Sequence, residues 1–184
     1  MKELSLNILD IAQNSITARS TLINIGIVER DNTFTLTISD DGCGMSAEMV
    51  KNVTDPFCTT RKTRKVGLGI PFLKMQAEMT GGSFSISSKS EAEFPDDHGT
   101  ITTAMFYKDH IDFTPLGDII STVCTLIHGA GGIDIMFTHE SEIFDVKLDT
   151  RELKEVLGAD ISLSEPEILS WIEQYLSEQY NSYK

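Results

Sequence analysis

The most restrictive feature of the chain is a strand that runs straight into a double-glycine turn. Phe34-Thr35-Leu36-Thr37-Ile38 alternates apolar and polar residues, and Ser39-Asp40-Asp41-Gly42-Cys43-Gly44-Met45 follows it. Alternation of period two describes a strand with one buried face. Two glycines in three positions let the backbone turn sharply and come close to another group without a side chain intervening. An ordinary strand-to-helix turn would account for the segment equally well if it stood alone.

The flanking patterns give it a setting. Leu4, Ile8, Ile11, Ser15 and Ala18 recur at helical spacing, which predicts an amphipathic helix over residues 3–18. Leu22–Val28 reads as a strand joined to Phe34–Ile38 through Arg30-Asp31-Asn32 as a hairpin turn. Ser46 is a good N-cap for a short helix over 47–52. Residues 55–67, with Pro56 and few apolar anchors, read as a loop, and Leu68–Thr80 reads as a helix stopped by Gly81-Gly82. Ser83–Ser88 and Gly99–Tyr107 read as two further strands. This order predicts an α+β chain, a two-layer sandwich with helices on one face of a mixed sheet. Beyond it, a helix over 116–128, a hairpin of 133–138 with 143–148 turning at residues 139–142, a short helix near 150–157 and a helix capped by Ser164 predict a small α/β appendage.

Charge divides the chain at the same place. Residues 1–108 hold 13 Asp/Glu against 11 Lys/Arg, whereas residues 109–184 hold 15 against 4, a net of −11 within a total of −13. The break near Asp109–Pro115 predicts a boundary between a domain at 1–108 and an acidic C-terminal region at 109–184. So acidic a region disfavours phosphate backbones and anionic lipid, so neither nucleic acid nor a membrane is an expected partner. Cys43, Cys58 and Cys124 lack the spacing of a disulfide framework or a zinc site. Glu3, Asn7 and Asp10 interrupt any signal-peptide core, and no apolar run approaches a bilayer span, so a cytoplasmic protein is expected.

Four local features carry chemistry. Asp10 and Asn14 lie four residues apart on the first helix and so share a face. A carboxylate there can orient or deprotonate a water, and an amide oxygen is a hard ligand suited to Mg²⁺. Asp40, at the strand end, can accept a hydrogen bond from an exocyclic amino group such as adenine offers. Arg61, Lys62, Arg64 and Lys65 place four cations in five positions, suited to a polyphosphate. Val66-Gly67-Leu68-Gly69 opens a helix, where unpaired N–H groups and the positive dipole end favour phosphate. Each feature alone also fits ordinary surface polarity.

In order and spacing, the four resemble the N, G1, F and G2 boxes of the GHKL ATPases, the group of gyrase B, the large heat-shock chaperones, histidine kinases and MutL. Gly81-Gly82-Ser83-Phe84 and Gly99-Thr100 resemble that family's closing segment. The resemblance spans about residues 4–107 and implies an ATP-binding (Bergerat) fold that binds ATP with Mg²⁺. It implies Asn14 as the Mg²⁺ ligand, Asp10 as general base and Asp40 as the adenine acceptor. Gly42 would lie in the turn, with Gly44 and Met45 lining the base. Thr59, Thr60, Arg61 and Lys62 would form the lid edge, and Gly67, Leu68 and Gly69 would wrap the phosphates. Thr100 would help hold a water beside the adenine.

Two positions depart from the family pattern. Asp41 stands where Asn is frequent and sets a second acid near the site. Asp10 stands where Glu is usual, one methylene shorter, a change that bears on turnover more than on binding. Two functions follow from the resemblance. One is phosphoryl transfer, either slow ATP hydrolysis or phosphorylation of a partner protein. The alternative is a non-catalytic module that recruits a partner when ATP orders its lid. A protein partner is implied in both, and the family's habit of dimerising makes a homodimer an expectation. His139-Glu140 resembles a phospho-accepting box but falls in a predicted turn after the ATP domain. Met136, Phe137, Ile143, Phe144, Trp171, Tyr175 and Tyr180 are expected mainly to pack together, with a docking face as the other reading.

Overall fold

The computed structural model describes residues 3–54, 69–158 and 161–182. Among them run α1 (Leu4–Thr17), β1 (Leu22–Arg30), β2 (Thr33–Asp40), α2 (Ala47–Asn52), α3 (Gly69–Met79), β3 (Ser83–Lys89), β4 (Gly99–Tyr107), α4 (Ile119–Gly129), β5 (Asp134–Glu140), β6 (Asp145–Asp149), α5 (Thr150–Leu157) and α6 (Pro166–Asn181).

Six strands form one sheet in the order β3-β4-β2-β1-β5-β6. Neighbours are antiparallel except β1 and β5, which pair in parallel from Leu22↔Asp134 to Val28↔Glu140. Period-two alternation sends Ile23, Ile25, Ile27, Phe34, Leu36, Ile38, Ala104, Phe106, Ile135 and Phe137 to one face, where all are buried. Helices α1, α3, α4 and α6 pack on that side, and Leu4, Ile8, Ile11, Leu73, Val123, Leu126, Ile172 and Leu176 complete the core. The expected two-layer α+β architecture is present. The C-terminal region is α/β as expected, and its strands continue the same sheet: β5 covers the β1 edge that β2 leaves free. Pairing there satisfies a row of backbone groups beside a strand too apolar to leave open.

Three boundaries differ most from expectation. The helix expected from 116 begins at Ile119, where Asp118 accepts from the Ser121 N–H at 2.9 Å. β5 runs on through His139 to Glu140, so the hairpin turns at Ser141–Phe144, where Ser141 Oγ accepts from the Ile143 and Phe144 N–H groups. In the last helix the N-cap position falls on Glu165, whose side chain makes no capping bond, and not on Ser164, because Pro166 occupies the first helical position and fixes where the helix begins. No helix of the described residues is long and apolar enough to cross a membrane.

At the end of the sheet His139 is buried and satisfied at both ring nitrogens. Its Nε2 lies 3.0 Å from Glu29 Oε1 on β1, and its Nδ1 lies 2.8 Å from the Tyr180 hydroxyl on α6. Lys108, just past β4, donates to Glu29 Oε2 at 3.0 Å, and Phe34 and Phe144 pack edge-on against the imidazole. A neutral ring, donating from Nε2 and accepting at Nδ1, satisfies all of these contacts, and so enclosed a ring is no accessible phospho-acceptor. Burial lowers the His139 pKa, and the Glu29 hydrogen bond and charge offset only part of that. The unfolded chain therefore takes up a proton at this position at a higher pH than the folded chain does, so His139 subtracts stability as pH falls below about 6.5. The urea midpoint of the wild type should accordingly fall more between pH 7.5 and 5.5 than that of His139→Gln, and equal slopes would show that the ring does not titrate in this way.

Candidate nucleotide site

The C-terminal half of α1, the turn after β2, the β3–β4 strand ends and the first turn of α3 converge on one end of the sheet. Asp40 ends β2 and is held from both sides. Ser15 Oγ, from α1, donates to Asp40 Oδ2 at 2.6 Å, and the Gly42 N–H donates to Oδ1 at 3.0 Å. Each carboxylate oxygen keeps a second lone pair, so the fixed group can still accept from a ligand amine. Thr100 stands opposite Asp40 in the β2–β4 register.

Close backbone approach explains the glycines of this turn. A Cβ on Gly42 would lie 2.8 Å from Ala18 Cβ, and Gly44, with φ of +61°, would set one 1.9 Å from the Lys89 carbonyl oxygen. Gly99, with φ of +131°, faces the Asp40 carbonyl in the same way, its Cβ position 2.0 Å away. Cross-links then lock the turn to the strand ends. The Met45 N–H donates to Ser88 Oγ at 2.8 Å; Ser88 Oγ lies 2.8 Å from Thr100 Oγ1; and His98 Nδ1 lies 2.7 Å from the Gly42 carbonyl.

On α1, Asp10 and Asn14 share a face as their spacing requires. Gly69, the first residue of α3, lies against Asp10: a Cβ there would come within 2.5 Å of Asp10 Oδ2. The structure thus brings Asp10 to the N-terminus of α3, and Asp40, Gly42, Gly44, Met45 and Thr100 to a second cluster joined to α1 by Ser15. Thr59, Thr60, Arg61, Lys62, Gly67 and Leu68 lie outside the described residues.

Asp41, expected as a second acid near the site, is directed elsewhere. Its carboxylate accepts from the Thr21 N–H at 2.7 Å, from the Leu22 N–H at 2.9 Å and from the Thr21 hydroxyl, so it fastens the start of β1. Burial opposes its ionisation, yet these hydrogen bonds outweigh burial and hold its pKa below the ordinary carboxylate value. Three residues missed in the sequence take part: Ser15, Ser88 and His98. Only Ser15 had a usable signal, being on the buried face of α1 directly after Asn14.

One turn behind Asp10, α1 and α3 meet through a buried polar pair. Asn7 Nδ2 donates to Gln76 Oε1 at 2.9 Å, and Gln76 Nε2 donates to Thr114 Oγ1 at 2.9 Å. Asn7 is fully buried and its Oδ1 has no partner among the described residues. Gln76→Leu would strand the Asn7 amide as well, which should cost about 1–3 kcal/mol of unfolding free energy. Asn7→Leu/Gln76→Leu removes the polar groups together and should recover most of that loss in urea denaturation. Additive losses in the double variant would show that the amides are not coupled.

Comparison with known proteins points the same way. A family model described as histidine kinase-, DNA gyrase B- and HSP90-like ATPase matches residues 1–110. The uncharacterized sensor-like histidine kinase R01002 of Rhizobium meliloti (strain 1021) is 34% identical over 77 residues, 39% of this chain and 15% of that protein. Among solved structures, the N-terminal domain of a DNA repair protein shares the fold with a TM-score of 0.57 at 12% identity, covering 86% of this chain and 58% of that one. The catalytic domain of the histidine kinase ThkA aligns with a TM-score of 0.43 at 19% identity, covering 56% of this chain and 64% of that one. The chain therefore spans a small fraction of the sensor-like kinase and under two thirds of either structure.

Proposed function

This chain belongs to the histidine kinase-, DNA gyrase B- and HSP90-like ATPase family, and we propose from that premise that it binds Mg-ATP with the adenine at Asp40 and transfers the γ-phosphoryl group, slowly to water or to a partner protein. The observation that supports this most is the double role of α1. Through Ser15 the helix holds Asp40, and through Asp10 it meets Gly69 at the start of α3. One rigid element therefore sets the spacing between an adenine end and a phosphate end, which is the positioning that phosphoryl transfer chiefly needs.

In this reading Asp40 accepts from the adenine amino group, Gly42, Gly44 and Met45 border the base, and Thr100 holds a water beside it. Thr59, Thr60, Arg61, Lys62, Gly67, Leu68 and Gly69 surround the phosphates. Asp10 takes the proton of the attacking water or hydroxyl as its oxygen bonds to the γ-phosphorus. The bond to the β–γ bridging oxygen then breaks and ADP leaves. Asn14 would hold Mg²⁺, which supplies charge neutralisation on the phosphates. A reaction drawing on ATP also agrees with a cytoplasmic protein.

Titration calorimetry with and without Mg²⁺, alongside phosphate release, tests the reading. Asp40→Asn should weaken ATP binding at least about 10-fold, the scale of one hydrogen bond to a charged group. Asp10→Asn should keep affinity within about 3-fold while phosphate release falls by about 100-fold or more. Tight binding with neither turnover nor phosphorylation would replace catalysis with a nucleotide-gated docking role, and failure of the wild type to bind ATP would overturn the proposal.

A further inference from the structure

Helix α6 buries Ile172 and Leu176 against α4 and β6, while its outer side carries Trp171 and Tyr175, 48% and 37% exposed. Four residues apart on one face, their rings stack with centroids 5.2 Å apart and planes 11° from parallel. Glu167 precedes the pair by one turn and Glu178 follows it by one, and both are exposed. The face thus reads carboxylate, ring, ring, carboxylate from Glu167 to Glu178, 12 helical positions spanning roughly 16 Å. Glu173 lies on the same helix, and α6 contains no Lys or Arg. Among the described residues none of these three carboxylates takes part in an ion pair; Glu178 accepts from Gln174 Nε2 at 2.8 Å, and Lys147, whose backbone bonds Gln179 of α6, is itself paired to Glu152.

Two exposed, parallel π faces between carboxylates that no described cation neutralises attract one chemistry above others: a guanidinium or ammonium group that can lie on a ring and meet a carboxylate. We propose that this face of α6 is a docking strip for an arginine-bearing, basic segment of a partner protein. Charge decides the occupant. A second copy would bring another chain of net −13 and a strip with no cation of its own, and polyanions are repelled by the same carboxylates. A basic segment neutralises the strip and covers its rings together. This site is separate from the nucleotide site and does not depend on ATP being bound.

Trp171 is the single tryptophan of the chain, so its emission reports occupancy of the strip itself. The full chain should be titrated with a 12-residue peptide bearing four arginines, with its lysine counterpart and with an uncharged glutamine counterpart. Saturable quenching by the arginine peptide is expected, weaker by at least 3-fold with lysine and absent with glutamine. Glu167→Gln/Glu178→Gln and Tyr175→Ser, both surface changes, should each weaken it by about 10-fold or more. Glu91→Gln/Glu93→Gln removes the same charge from the loop after β3 and should leave it within 2-fold. Equal weakening by both double variants would mean diffuse attraction to an acidic protein and would overturn the strip. So would equal binding of the glutamine peptide, or a Trp171-dependent dimer seen by sedimentation in the absence of peptide.

Discussion

The packing of α1 across the sheet is the constraint on which the other parts depend. Its apolar stripe, Leu4, Ile8, Ile11 and Ala12, is fully or almost fully buried, so the rotation of the helix is fixed by area removed from water. That rotation then dictates where its polar residues fall. Ser15, one position beyond Asn14, reaches Asp40; Asp10 meets the first turn of α3; and Asn7, a turn earlier, meets Gln76. At the N-terminus Leu4 and Ser5 donate their N–H groups to the Pro115 and Leu116 carbonyls at 2.9 and 2.8 Å. These bonds satisfy orphan donors that no side chain caps. The helix is thereby fastened to the turn after β2, to α3 and to the connection into α4.

Polar groups in this seam specify rather than strengthen. An apolar pair in place of Asn7 and Gln76 would bury as well and avoid the cost of an unmatched carbonyl. What the amides add is register: α3 cannot slide along α1 without breaking both ends of Gln76. Because α3 begins at Gly69, register along the seam is also the distance from the α3 N-terminus to Asp10. The second bond of Gln76, to Thr114, brings the segment leading to α4 into the same network.

Much of this was legible in the sequence because the period of each segment is strong. The alternation of Phe34–Ile38, the helical stripe from Leu4 to Ile11 and the glycines at 42, 44 and 81–82 placed elements within a few residues. Parallel pairing of β1 with β5 left no such trace, since period two tells which face is buried but not which strand lies alongside. The direction of Asp41 is hidden for a related reason. Two adjacent carboxylates at a strand end point to opposite sides, and only the fold reveals that Asp40 faces Ser15 while Asp41 faces Thr21. His139 reads as part of a turn because its neighbours Glu140, Ser141 and Glu142 are polar. Its burial depends on Glu29 and Tyr180, residues distant in sequence that no local pattern links to it.

The parallel joint gives the acidic region a mechanical relation to the rest. β1 pairs with β2, which ends in Asp40, and on its other side with β5, so the two regions share one sheet and not merely a surface. Glu29 on β1 accepts from Lys108 of the first region, and its other oxygen meets His139 of the second, which in turn bonds Tyr180 of α6. A hinge between the regions would break ladder bonds and this buried network together, a far larger cost than the opening of a domain interface. Any influence of nucleotide on the outer face of α6 must therefore pass through small shifts of packed elements, α3 against α1 and α1 against α4, and not through a swing of one region about the other.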